Sequence, residues 1–291
     1  MKQIWNKNTF ILVIILLVSL DVLVWRTIIF AKTSDNLEIY FLSVGQGDSE
    51  LVVLPGGVQV LIDGGKGNYA VQELTLILPF FDRYLDLVIL SHPEIDHFLG
   101  LIEVLRNYQV GTFISNGRPG TADSWPVLAE TLNKEKIPKV SLAAGDKICY
   151  QENCFNILSP TKEFLTGRET NDSGLVMRFS AGGSQTLFTG DTGEKVEDFL
   201  IKNYDVRTDI LKVSHHGSKF STSQKFLAAS QPRLAFIEVG KNNYGHPTQE
   251  VLSRLASIGS AIYRTDTDGT IKLVINKGHI SIFKKRPKMI Y

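Results

Sequence analysis

The feature that most limits what this chain can become is a short apolar run, residues 85–90, that ends in Ser91-His92-Pro93-Glu94-Ile95-Asp96-His97. An apolar run of that length followed by polar residues reads as a strand. The two imidazoles and two carboxylates beyond it are the donors that a zinc- or manganese-like ion accepts. A lone loop histidine is usually solvated or satisfied inside a core, but here two more apolar runs end in the same way. Residues 185–189 lead to Asp191, and residues 209–213 lead to His215-His216-Gly217-Ser218. Three strand ends that deliver ligands point to a catalytic site.

From Leu37 onward the chain alternates short apolar runs with Gly, Pro, Asn and Asp, a strand-and-turn pattern. Strands are expected at 37–43, 49–54, 58–62, 85–90, 110–114, around a turn within 139–158, and at 174–180, 185–189, 209–213, 234–239, 261–264, 269–275 and 279–283. Helices are expected at 68–81, with Leu74, Ile77, Leu78 and Phe81 on one face, and at 98–107, 125–134, 196–204, 223–229 and 249–258. The 98–107 helix starts directly after the ligand cluster, so its positive end faces that cluster. Two mixed sheets packed together with helices outside accommodate this order. Gly45-Gln46-Gly47-Asp48 either brings polar groups toward the site or is an ordinary turn. Asp63 reads as an acceptor for backbone amides of the loop after it.

One domain suits 291 residues better than two, and a formal charge of +1 carries no global basic excess that would announce a nucleic-acid partner. The basic stretch Lys284-Lys285-Arg286-Pro287-Lys288 is either a solvated tail or a contact for anionic lipid or nucleic acid. Cys149 and Cys154 flank a polar turn, a spacing that suits a hairpin disulfide in an oxidising compartment or a pair of reduced thiols. Lys2 and Lys7 precede a stretch that is largely apolar from Phe10 to Ala31. A helix over 10–31 would cross a hydrocarbon core of roughly 30 Å, with Asp21 costing about 2.5–3.5 kcal/mol and Arg26 snorkelling to the far interface. Ile29 and Ala31 supply only one of the two small residues of a cleavage site, which favours an anchor over a cleaved signal peptide. The leading lysines would keep the N-terminus cytoplasmic and place the remainder outside. The expected division is anchor and linker at 1–35, one domain at 36–283 and a basic tail at 284–291.

The motifs Phe41-Leu42-Ser43-Val44-Gly45-Gln46-Gly47-Asp48, Leu61-Ile62-Asp63-Gly64-Gly65, Ser91 to His97, Asn171-Asp172-Ser173-Gly174, Thr189-Gly190-Asp191, His215-His216-Gly217-Ser218 and Tyr244-Gly245-His246-Pro247 stand in this order. Together they resemble the metallo-β-lactamase superfamily, and more closely the extracytoplasmic hydrolase domain of ComEC-type DNA-uptake proteins. The resemblance implies an αββα sandwich, preceded here by one membrane helix, with a metal site at one edge. It implies one metal on His92 and Glu94 and another on Asp96 and His97, with Asp191 bridging and His215 completing the second site. Glu94 replaces the middle histidine of the superfamily's H-x-H-x-D-H, as is usual in ComEC-like domains, and Asn171 and Ser173 stand where a further histidine is expected. That oxygen-rich set shifts the expected cofactor, one or two divalent ions, from zinc toward manganese. Asp96 would also orient the nucleophile. His216 and His246, outside the ligand set, would donate to phosphate or protonate the leaving group, unless His246 merely closes its turn. Asn171, Ser173, Ser218, Gln46 and Asp48 are the expected substrate contacts.

The implied function is an exported, membrane-anchored metal-dependent nuclease or phosphodiesterase acting on DNA. The alternatives are a phosphodiesterase of small or lipid-headgroup substrates and a non-catalytic module that binds DNA or a partner. β-Lactam hydrolysis is not expected from a first site with Glu94 and no third histidine. DNA passage would need a separate channel protein.

Overall fold

The structure, a computed structural model, describes residues 6–29 and 36–285. It opens with helix α1 (Lys7–Ile29), whose 23 residues reach about 34 Å and are long and apolar enough to cross a membrane. Its side chains as far as Trp25 are almost all exposed. Lys2, the side chain of Arg26 and the tail residues 286–291 lie outside the description.

The domain then runs β1 (Leu37–Phe41), β2 (Glu50–Val53), β3 (Gln59–Ile62), α2 (Tyr69–Ile77), β4 (Tyr84–Ile89), α3 (Ile95–Asn107), β5 (Gln109–Ser115), α4 (Trp125–Lys134) and β6 (Lys139–Ser141). It continues with β7 (Lys147–Tyr150), β8 (Asn153–Ser159), α5 (Lys162–Thr166), β9 (Val176–Ala181), β10 (Ser184–Phe188), α6 (Glu194–Asn203), β11 (Ile210–Lys212) and α7 (Gln224–Ser230). The last elements are β12 (Leu234–Ile237), α8 (Gln249–Ser257), β13 (Ala261–Arg264), α9 (Thr265–Asp268), β14 (Ile271–Asn276) and β15 (His279–Lys284). Among the described residues the strands form two sheets, in the orders β15-β14-β1-β2-β3-β4-β5-β6 and β13-β12-β11-β10-β9-β8-β7.

Near-continuous apolar runs in the central strands give each sheet two apolar faces, and each face is covered. Phe41, Phe155, Phe179, Phe188 and Phe236 fill the space between the sheets, with the Phe41 and Phe236 rings stacked at 4.2 Å. Leu74, Phe98 and Leu128, from α2, α3 and α4, cover the outside of the first sheet. Val196, Phe226 and Val251, from α6, α7 and α8, cover the second. The result is the expected αββα sandwich. Cys149 and Cys154 are opposite one another in the β7–β8 register and form a disulfide.

Two boundaries differ from expectation for local reasons. α2 stops at Ile77 because Leu78 precedes Pro79 and takes an extended backbone, so Phe81 leaves the apolar face and is 81% exposed. α3 starts at Ile95 rather than 98, which puts Asp96 and His97 in its first turn.

Candidate metal centre

The centre lies at the edge where β3, β4, β10, β11 and β12 end and β2 begins. Parallel pairing of β3 with β4 and of β10 with β11 puts the C-terminal ends of these strands side by side, so the residues after them converge. Close backbone approach then brings the loops together. Asp48 N–H donates to the Asp96 carbonyl, and a Cβ at Gly47 would collide with that same oxygen. Gly100, in α3, likewise leaves no room for a side chain against the Gly64 carbonyl.

His92, His97 and His216 are each 2% exposed or less, and among the described residues the Nε2 of each has no hydrogen-bond partner. Their other nitrogens are held. Ser91 Oγ lies 2.9 Å from His92 Nδ1, Asp63 Oδ2 lies 2.8 Å from His97 Nδ1, and His216 Nδ1 donates to the Glu238 carbonyl at 2.8 Å. Fixing Nδ1 presents Nε2 as a free donor atom, the arrangement of a metal-ligating histidine. Asp191 Oδ2 sits among these rings, 3.3 Å from His97 Nε2 and 3.5 Å from His216 Nε2, and Asp96 Oδ2 is 3.6 Å from His216 Nε2. His92, His97 and Asp191 form one group with ligand atoms within 4.8 Å, and Asp96, His97 and His216 form another. Buried, unpartnered imidazole nitrogens around a carboxylate fit one or two divalent ions.

The charges support the same reading. Burial alone would lower His97 and His216, but Asp191 with Asp63 raises His97 well above the usual range, and Asp191 with Asp48 pushes His216 up to about 10. Burial and the neighbouring His97 lower His92 to about 3, so it is neutral and ready to bind. Burial works against the ionised carboxyls, yet His216 and His97 hold Asp191 well below its ordinary value and keep Asp96 low. Protons on His97 and His216 thus occupy the place a cation would take. Metal affinity is therefore expected to rise with pH, and uptake to release protons. Calorimetry in buffers of different ionisation enthalpy measures that release, and proton-neutral binding would contradict it.

The backbone chooses between the adjacent histidines. His215 and His216 have φ of 52° and 53°, an uncommon pair of left-handed residues. The reversal turns His216 inward and leaves the side chain of His215 33% exposed, its Nε2 3.9 Å from Asp191 Oδ2. His216, placed outside the ligand set from sequence, thus joins a ligand group, whereas His215 and Glu94 line the cavity above without belonging to one. That cavity, about 200 Å³, is also lined by Gln46, Asn171, Tyr244 and His246.

Three expected substrate contacts are not at the cavity surface. Ser173 Oγ is buried and donates to the Thr170 carbonyl, Ser218 Oγ accepts from Phe220 N–H, and Asp48 is buried against Lys212 and His216. Asp63 also departs from expectation. It accepts from Ser91 N–H through Oδ1 and from Ser91 Oγ–H through Oδ2, rather than from the loop after it. Because Asp63 orients His97, Asp63→Asn is expected to weaken metal binding about tenfold to a hundredfold, as read by competition with a chelating dye.

Sequence reasoning missed a buried charged layer beneath the ligands. Lys212 is fully buried, pairs through Nζ with Asp48, donates to the Gly190 carbonyl and lies 3.6 Å from Asp191 Oδ1. Beside it, burial and then Asp48 push Glu238 up to about 8, and burial and then Glu238 raise Glu50. The glutamate pair therefore retains a proton at neutral pH. A signal was present in the sequence, since Glu50 and Lys212 are charges at the site-facing ends of otherwise apolar strands.

No protein-family model matches the chain. It is 32% identical over 265 residues to ComE operon protein 3 of Bacillus subtilis, covering 84% of this chain and 34% of that protein. It is 30% identical to Recombination protein 2 of Haemophilus influenzae, covering 85% and 30%. The chain thus spans about a third of the length of these curated relatives. Among solved structures, the metallo-β-lactamase-fold protein YhfI of Bacillus subtilis superposes with a TM-score of 0.55 at 12% identity, covering 82% of this chain and all of that one. CmlA, a diiron β-hydroxylase from Streptomyces venezuelae, gives 0.57 at 13%, covering 84% and 54%. A diphosphatase of the PhnP family gives 0.51 at 13%, covering 83% and 99%. These structures share the fold while differing in chemistry, so the reaction must be argued from the site. The chain thus has the metallo-β-lactamase fold and, in sequence, is similar to about a third of the length of the competence proteins it aligns with.

Proposed function

We propose that the chain is a membrane-anchored, exported, metal-dependent phosphodiesterase whose substrate is DNA. The observation that carries the hydrolytic reading is the set of three unpartnered, buried Nε2 atoms around Asp191 beneath an open polar cavity. A divalent cation held by His92, His97, His216, Asp191 and Asp96 would supply Lewis-acid stabilisation of phosphate charge and acidify a nucleophilic water. The protein groups do the rest. Asp96, partly exposed and held ionised by His216 and His97, faces the cavity and orients water. His246 is lowered by burial and then by His215 and His216, so a neutral ring faces the substrate and donates a hydrogen bond to phosphate. Asn171 and Gln46 add neutral contacts on the same wall.

DNA as substrate is supported by the similarity to competence proteins, and by Tyr244, which lines the cavity and is 72% exposed. Asn242 fixes its loop, its side-chain oxygen accepting from the Tyr244 and His246 N–H groups and its amide donating to the Gly240 and His246 carbonyls. An exposed ring on a fixed loop at a phosphodiester site suits stacking of a base. Export is supported by the Cys149–Cys154 disulfide and by α1. A separate channel protein as partner is the corresponding proposal for DNA passage.

The test is release of acid-soluble nucleotides from single-stranded DNA with Mn²⁺ or Zn²⁺, beside hydrolysis of a chromogenic phosphodiester. Tyr244→Ala is expected to raise KM for DNA about tenfold and leave the chromogenic substrate unchanged. Hydrolysis of the small substrate without DNA cleavage would favour a small or lipid-headgroup phosphodiester. No turnover with any metal would refute the enzyme.

A further inference from the structure

We propose that the turn carrying Phe80 and Phe81 docks into the surface of the same bilayer that holds α1, so that the metal centre faces away from the membrane. The inference rests on the reading of α1 as a membrane span.

The two rings are 84% and 81% exposed, and Leu76 beside them in sequence is 56% exposed. Adjacent exposed phenylalanines make a contiguous apolar patch, the kind of surface that marks a protein or membrane contact. The turn that presents them is built rather than loose. Asp82 N–H donates to the Pro79 carbonyl, Gln59 Nε2 donates to Asp82 Oδ2 at 2.7 Å, and the Arg83 guanidinium donates to Tyr108 Oη at 3.0 Å. The same guanidinium lies 5.9 Å from the Phe80 ring centroid. Aromatic rings flanked by arginine, here Arg83 and the nearby Arg106 along one cleft, are the composition that settles at the headgroup level of a bilayer.

Topology identifies the occupant. The register pairs Glu38 with Val53 and Val53 with Gln59, and β3 runs parallel to β4, so β1, β3 and β4 all start at one edge of the sheet. The Phe80–Phe81 turn leads into β4 at that edge. The chain from α1 enters β1 there too, and residues 30–36 span at most about 25 Å when extended. The metal centre lies at the opposite edge, about 20 Å away along β4. Because the chain from α1 enters the domain at this edge, the bilayer is tethered on the phenylalanine side.

The test uses the full chain in lipid vesicles. Cys149 and Cys154 are joined, so a single introduced thiol takes an environment-sensitive fluorophore. In Phe81→Cys the label is expected to shift to the blue and to lose about half its emission to quencher-bearing acyl chains. In Phe220→Cys, 68% exposed near the metal centre, it is expected to do neither. An unquenched label at 81 on protein that resists alkaline carbonate extraction would overturn the docking while leaving the anchor intact. Extraction by carbonate would overturn the anchor, and the docking with it. Equal quenching at both positions would overturn the orientation.

Discussion

Asp191→Ala is expected to leave the protein folded but unable to retain its divalent ion, and to lower phosphodiester hydrolysis by at least about a thousandfold, the several kcal/mol of charge stabilisation a cation supplies. Asp191 Oδ2 is the atom around which His97, His216 and His215 gather, at 3.3, 3.5 and 3.9 Å. Folding should survive because the rings that lose their counter-charge can release protons instead of remaining as unpaired cations. Elemental analysis of the purified variant, beside its circular dichroism, separates loss of the ion from loss of the fold. A variant that keeps its metal and its rate would remove Asp191 from the centre.

Lys212→Met should act on stability rather than on chemistry first. The fully buried ammonium is charged near neutral pH and lies among Asp48, Glu50, Glu238 and Asp191, with the raised His97 and His216 on the Asp191 side. Removing one partner from a buried ionic set costs about 3–5 kcal/mol, which in a domain of this size lowers Tm by about 10 °C or more. The pH dependence has a definite sign. With the cation gone, Glu50 and Glu238 rise further above their unfolded values and Asp48 loses the charge that chiefly holds it down, so the folded state binds more protons than the unfolded state. Stability of the variant is present at low pH and is lost as pH rises through the raised values. Wild-type Glu238, already at about 8 against an ordinary 4.5, shows the same trend between those limits. Thermal melts across that range measure it, and Asp48→Asn combined with Lys212→Met should melt higher than Lys212→Met alone. A variant as stable as wild type at every pH would show that the buried layer relaxes around the missing charge.

The strands and the ligand-bearing turns were legible because their signals are local. Alternation and apolar runs mark β4, β10 and β11, His92 and Asp191 stand two or three residues beyond such strands, and Asp96 and His97 follow in the first turn of α3. The choice between His215 and His216 was not legible, since two adjacent residues of the same type differ only in where a left-handed backbone points them. Ser173, Ser218 and Asp48 belong to the right motifs but face inward, and no spacing rule distinguishes a motif residue that supports a site from one that lines it. Lys212 ends β11, Glu50 begins β2 and Glu238 directly follows β12, and their interaction exists only once the two sheets are packed.

By itself the amino-acid order determined most element types and the segments from which ligands come, because hydrophobic period and turn chemistry act over a few neighbouring residues, and the order of its motifs implied the two-sheet sandwich. Tertiary structure alone decided which imidazole nitrogens point at Asp191, which acids share a proton beneath them, and that Phe80 and Phe81 stand at the edge opposite the metal centre. Those outcomes depend on distances between residues far apart in the chain, which no local pattern encodes.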